Sequence, residues 1–143
     1  MNQLVDILDQ KGRDVLRIDA GASVLDAVKK MVDYNVGSLL VDDGGEVAGI
    51  ITERDFMRRV TLEGRAERDT AVREILSSPL IVASPETSVD DCMALMTERR
   101  IRHLPVVDDG DVVGMISIGD VVKFELHRRQ QEVKYLNEYI SSG

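Results

Sequence analysis

Two segments of this chain set a hydroxyl and a carboxylate at the same spacing: GIITERD over Gly49–Asp55 and GMISIGD over Gly114–Asp120. Each runs glycine, two apolar residues, a hydroxyl residue, two variable positions, then aspartate, so Thr52 and Asp55, like Ser117 and Asp120, stand three apart. One chemistry this suits is structural. A hydroxyl residue at a helix N-cap and an acid three positions later can satisfy each other's backbone N–H in a capping box. The other is ligand binding at the same place. The free amides and positive dipole end of a helix suit a phosphate, the hydroxyl adds a donor, and a nearby aspartate can accept hydrogen bonds from ribose hydroxyls. On residues alone both readings stand.

Catalysis has less to build on. The recurring carboxylates, Asp55 and Asp120, belong to separate copies of the motif, and the chain has no GxxxxGK[ST] loop and no GxGxxG. His103 and His127 lie apart, without neighbouring cysteines at metal-ligand spacing. The single cysteine, Cys92, excludes an internal disulfide and sits in a helical pattern as a small core residue. A non-enzyme with no catalytic residues and no metal is the expectation.

The two motifs lie inside a larger repeat. Shifted by 65 residues, Ser23–Met57 superposes on Ser88–Val122 without a gap, with 12 identities in 35 positions; average usage would give about two or three. Each copy reads β-α-β-β-α. Val15–Ile18 and Leu80–Val82 are short strands leading into turn-rich DAGAS and ASPETS. Helices start after the N-caps Ser23 and Ser88, with Asp26 and Asp91 at capping-box spacing. Their apolar faces are Val24, Ala27, Val28 and Met31, and Val89, Cys92, Met93 and Met96. Strands Ser38–Val41 with Val47–Ile51, and Leu104–Val107 with Val112–Ile116, are joined by the hairpin turns DDGGE and DDGD. A second helix begins at Thr52 or Ser117.

The expected organisation is one repeat with an N-terminal helix over 1–64, a second over 65–124, and a C-terminal helix over 125–143, with Glu63–Thr70 as a polar linker. A 60-residue half buries too little surface to be comfortable alone, so the halves are expected to pack sheet against sheet. In the C-terminal helix, Val122, Leu126, Arg129, Val133, Leu136 and Ile140 alternate spacings of four and three, a heptad seam holding one arginine. That helix either lies on its own domain or serves self-association.

Composition narrows the partners. A net charge of −8 repels a phosphate backbone, and with no tryptophan, two phenylalanines and three tyrosines, base stacking on aromatic platforms is disfavoured. A purine held here would lie between aliphatic side chains. No apolar run approaches the roughly 18 residues that cross a bilayer, and the N-terminus lacks the basic and long apolar regions of a signal peptide. No nucleic acid, no membrane and a cytoplasmic location are the expectations.

The two β-α-β-β-α repeats, the Gly-apolar-apolar-Thr/Ser-x-x-Asp endings and IRHLPVVDD over Ile101–Asp109 resemble paired cystathionine-β-synthase-type (CBS) domains, from about Lys11 to Lys123. The chain is similar to the short bacterial stand-alone pairs. The resemblance implies an α/β (α+β) fold in which the repeats pack sheet to sheet about a pseudo-twofold axis, leaving two clefts lined by both. It implies a regulatory module that senses AMP, ADP, ATP, NAD or S-adenosylmethionine through a conformational change, a homodimer, and an unidentified protein partner. The competing expectation is a structural or partner-docking homodimer with no small-molecule ligand.

Carried over by residue, Asp55 holds a ribose and Thr52 a phosphate in one cleft, with Arg54 and Arg102 as phosphate cations and Pro79, Ile81 and Ile101 around the base. In the other, Asp120 and Ser117 take those roles. There Lys11 and His103 face phosphate, while Leu16, Val36, Gly37 and Met115 line the base pocket. Two features depart from the pattern: Gly119 stands where the first copy has Arg54, and Leu4-x-x-Ile7-Leu8 matches Val72-x-x-Ile75-Leu76 at a shift of 68, implying three extra residues around Lys11–Asp14. On residues alone Arg102 also fits a solvated helix end, and His103 also fits a satisfied core histidine.

Overall fold

A computed structural model of the chain describes residues 2–77 and 80–142. By contacts it divides into two compact units, Asp14–Ile81 and a second built from Met1–Arg13 together with Val82–Gly143. The units thus group segments differently from the sequence repeat, since the first residues of the chain join the second copy.

In the unit Asp14–Ile81, β1 (Arg17–Asp19) pairs parallel with β2 (Ser38–Asp43), which pairs antiparallel with β3 (Glu46–Thr52). Between β1 and β2 lies α2 (Val24–Tyr34). It starts where the Ser23 hydroxyl accepts from the Asp26 N–H at 3.1 Å, and ends at Asn35 in the left-handed conformation. Val24, Ala27 and Met31 of α2 bury against Leu39, Val41 and Ile51 of the sheet and against Val72 and Ile75, which follow the sheet in sequence. Burying side chains of this kind contributes about 1.5–3 kcal/mol each. The β2–β3 turn places Gly44 and Gly45 at φ of 62° and 86°, both in the region that favours glycine, as a type I′ hairpin requires. After β3, α3 (Glu53–Phe56) runs on into a π-helical turn, Met57–Thr61. Residues 63–70 form turns bonded back to α2 through Leu25 N–H to Glu67 O and Val24 N–H to Thr70 O.

The other unit repeats the plan with α4 (Val89–Arg99), β4 (His103–Asp108), β5 (Asp111–Ser117) and α5 (Ile118–Ser142). Its hairpin carries positive φ at Asp109 and Gly110, and β4 and β5 shift register between Val106 and Val107, the counterpart of the shift between Val41 and Asp42. The helix α1 (Leu4–Lys11) packs on β5 and α5 through buried Leu4, Ile7 and Leu8.

Three expectations need correction. The strand at Leu80–Val82 is absent, and only Ala83 bridges Val106 in parallel. Prolines explain this. In the first copy Leu40 N–H bonds Leu16 O and Ala20 N–H bonds Asp42 O. The corresponding residues, Pro105 and Pro85, have no N–H, so the ladder stops on both sides of Ala83. The strand expected at Val15–Ile18 lies at Arg17–Asp19. Met93, assigned to the apolar face of α4, is 39% exposed.

The helix α5, 25 residues and about 37 Å long, is divided in character. Val121 and Phe124 are buried, and Arg128 is clasped by Glu125 at 2.9 Å and Glu132 at 3.4 Å. From Arg129 to Ile140 every residue is exposed, and the heptad seam faces solvent throughout. The seam does not lie on its own unit.

Candidate functional site

The glycine that opens each motif lets a chain segment come close. A Cβ on Gly49 would stand 2.9 Å from Leu76 Cδ1 and 3.1 Å from the Ser77 carbonyl; one on Gly114 would stand 2.5 Å from Leu8 Cδ2. Leu76 and Leu8 are the residues matched at the shift of 68, so equivalent segments are seated on equivalent hairpins. This brings Ser77 to the end of β3 and Lys11 to the end of β5.

At the first corner Thr52 is the N-cap of α3. Its hydroxyl accepts from Asp55 N–H at 3.2 Å, while Asp55 Oδ2 accepts from Thr52 N–H at 2.9 Å and from the Thr52 hydroxyl at 3.0 Å. The capping box is therefore present, and it holds the carboxylate at the strand-to-helix junction. Ser77, fixed by its N–H bond to Ile50 O, donates its hydroxyl to Asp55 Oδ1 and Oδ2 at 2.8 and 2.9 Å. Gly37 O accepts from Glu53 N–H at 3.1 Å, pinning the loop before β2 to the helix start. Asp55 and Thr52 remain half-buried, and Arg54 is exposed.

The second corner has the same cap and a different partner. Asp120 Oδ2 accepts from Ser117 N–H at 2.8 Å, and the Ser117 hydroxyl accepts from Asp120 N–H at 3.1 Å. Where Ser77 serves Asp55, the ammonium of Lys11 reaches Asp120 Oδ2 at 2.6 Å and also donates to Met115 O at 2.7 Å. The Lys11 and Asp120 side chains are 34% and 23% exposed, so the pair is partly screened from water. Burial pushes the Asp120 carboxyl upward, but Lys11 and the two donors of Ser117 outweigh it and hold the group below its ordinary value. Arg102 O accepts from Ile118 N–H at 2.9 Å, as Gly37 does for Glu53. His103 lies opposite Ser117 in the strand register.

The unit Asp14–Ile81 thus brings together Thr52, Asp55 and the Gly37 carbonyl, and also holds Arg54, Leu16, Val36 and Ile81; the other gathers Lys11, Met115, Ser117, Asp120 and His103, with Arg102 and Ile101 beside them. Pro79 lies outside the described residues. Ser77 was missed because it belongs to no motif; the one available signal was its position after Leu76 in the segment matched at a shift of 68. What the corners offer chemically is a fixed carboxylate, a hydroxyl and helix-start amides. Among the described residues no group of His, Cys, Asp and Glu is placed to hold a metal ion, and no helix is long and apolar enough to cross a membrane.

A family model, described as the CBS domain, matches residues 6–62 and again 72–127. The chain is 43% identical, over 147 aligned positions, to a mitochondrial CBS domain-containing protein of Arabidopsis thaliana, covering 96% of this chain and 71% of that one. A solved protein with CBS domains from Burkholderia ambifaria superposes with a TM-score of 0.86 at 44% identity, covering 88% of this chain and 95% of that chain. A hexameric CBS-CP12 protein from bloom-forming cyanobacteria gives 0.76 at 31% identity, covering 85% and 70%.

Proposed function

The chain belongs to the CBS-domain family as a tandem pair, and on that premise we propose that it is a non-catalytic regulatory module that binds an adenine nucleotide (AMP, ADP, ATP or NAD, with S-adenosylmethionine as a further candidate). The observation that carries this is the duplicated corner. Twice, a capped strand-to-helix junction holds a half-buried aspartate next to a hydroxyl and helix-start amides. A ribose diol needs the carboxylate, and a phosphate needs the amides and hydroxyl. Binding favours the conformation that holds the nucleotide better, and so reports its concentration to a protein partner.

The test is thermal denaturation with each nucleotide, since a ligand bound to the folded state raises the melting temperature with concentration. The wild type should be stabilised by at least one of them. Asp55→Ala with Asp120→Ala should abolish that response while the double variant still unfolds cooperatively.

A second reading is favoured by α5. Its seam exposes Leu126, Val133, Leu136 and Ile140 by 55% or more, on a helix stretch that makes no burial of its own. A seam with heptad spacing fits a second copy of itself, and the hexameric CBS-CP12 relative is itself an assembly. A homodimer joined through α5 should dissociate in sedimentation when Val133 and Leu136 become glutamates. A wild type that dimerises yet responds to no adenine nucleotide would leave partner docking as the function.

A further inference from the structure

The helix α5 shows its seam to solvent from end to end. Val122, Leu126, Val133, Leu136 and Ile140 are between 50% and 73% exposed, and Arg129 stands exposed among them. The spacing makes Leu126, Val133 and Ile140 the a positions of a heptad and Val122, Arg129 and Leu136 the d positions. From Val122 to Ile140 this face is about 27 Å long. Beside it, Glu125 and Glu132 hold the g positions and grip Arg128 of the same helix at 2.9 and 3.4 Å. Lys123, Gln130 and Asn137 hold the e positions.

Arg129 separates the ways in which two such faces can meet. Parallel and in register, each seam residue faces itself, so arginine occupies one layer of six, and its long stem can carry the charge out to water. Slid by one heptad, Arg129 faces Val122 of the second chain at one level and Leu136 at another, so two of four layers carry it. Antiparallel with all six positions matched, Arg129 faces Val133 twice, and Glu132 comes beside the partner's Glu132. The parallel coil instead sets Glu125 by the partner's Gln130 and Glu132 by the partner's Asn137, with no like charges on its flanks. Val133 and Ile140 at a with Leu136 at d is also the pattern that favours two parallel strands.

We propose that α5 pairs with α5 of a second copy of this chain in parallel and in register, and that Arg129 fixes both the direction and the register. Asp120 lies in the first turn of α5. The parallel coil therefore brings the Ser117–Asp120 corners of both chains to one end, whereas an antiparallel coil would hold them a helix length apart. The inference rests on the self-association reading above and gives that association its geometry.

Charge exchange at position 129 tests it on the full chain. In a mixture of isotopically labelled wild type with Arg129→Glu, facing arginine and glutamate attract, and native mass spectrometry counts the dimers. Heterodimers should outnumber the two homodimers together by about threefold or more. A ratio near one would overturn the proposal, because an antiparallel coil sets position 129 against Val133. As a second measurement, Leu136→Cys should form a disulfide-linked dimer under mild oxidation, with the buried Cys92 not competing. In a mixture of Leu126→Cys with Leu136→Cys, peptide mapping that finds chiefly 126-to-136 links would overturn it. A wild type that sediments as a monomer, or a dimer that survives Val133→Glu with Leu136→Glu, would instead overturn the self-association reading itself.

Discussion

Leu8 occupies the space that a side chain on Gly114 would need: a Cβ built there falls 2.5 and 2.8 Å from the two Leu8 methyl carbons. Leu8 is fully buried, so it has little freedom to retreat. Gly114→Ala should therefore destabilise the fold by about 1–3 kcal/mol, the usual cost of overpacking a core. Urea unfolding measures it, and Leu8→Val in the same chain should recover part of the loss.

Removing the Ser77 hydroxyl should act on Asp55 alone. Ser77→Ala deletes the bonds at 2.8 and 2.9 Å but leaves the Thr52 cap intact, so the stability loss should be about 1 kcal/mol. Gly49→Ala should cost more, because its Cβ meets the Ser77 carbonyl at 3.1 Å as well as Leu76. Comparing the two by chemical denaturation separates the hydrogen bond from the seating of the segment.

Acid should reveal the Lys11–Asp120 pair. The folded Asp120 carboxyl lies below its ordinary value, so the unfolded chain binds its proton more readily. The stability it contributes is complete above the unfolded pKa and disappears as the pH falls through the lower, folded one. In Lys11→Met that acid-side loss should shrink. Unfolding free energies measured across a pH series for both chains would show it, and matching slopes would count against the pair.

Cys92 should be inert in the native chain. It is fully buried, and burial pushes its thiol up to about 11. Alkylation at neutral pH should be slow until denaturant opens the fold, then rapid; mass spectrometry after timed iodoacetamide exposure reads both rates.

The duplication, both hairpins, the helix starts at Ser23 and Ser88 and the capping boxes at Thr52 and Ser117 were legible in the sequence because each depends on neighbours in the chain. The shift of 65 and the paired glycines carried that information openly. What local pattern could not show was which distant segment comes to rest on which hairpin. Lys11 was placed near the second motif only through resemblance, and its ion pair with Asp120 depends on a contact across more than a hundred residues. The missing strand at Leu80–Val82 was legible in principle. Pro85 and Pro105 stand where the first copy uses its N–H groups, but that loss is visible only once the register is known.

The seat of α1 on β5 has a consequence for synthesis. This helix precedes β5 in the chain, so Leu8 cannot meet Gly114 until the later strand has been made. The intervening stretch, Asp14–Ile81, holds all the strands of its own three-stranded sheet and can close while translation continues. A ribosome stalled before Gly114 would therefore hold every strand of the Asp14–Ile81 sheet while α1 still lacked its seat.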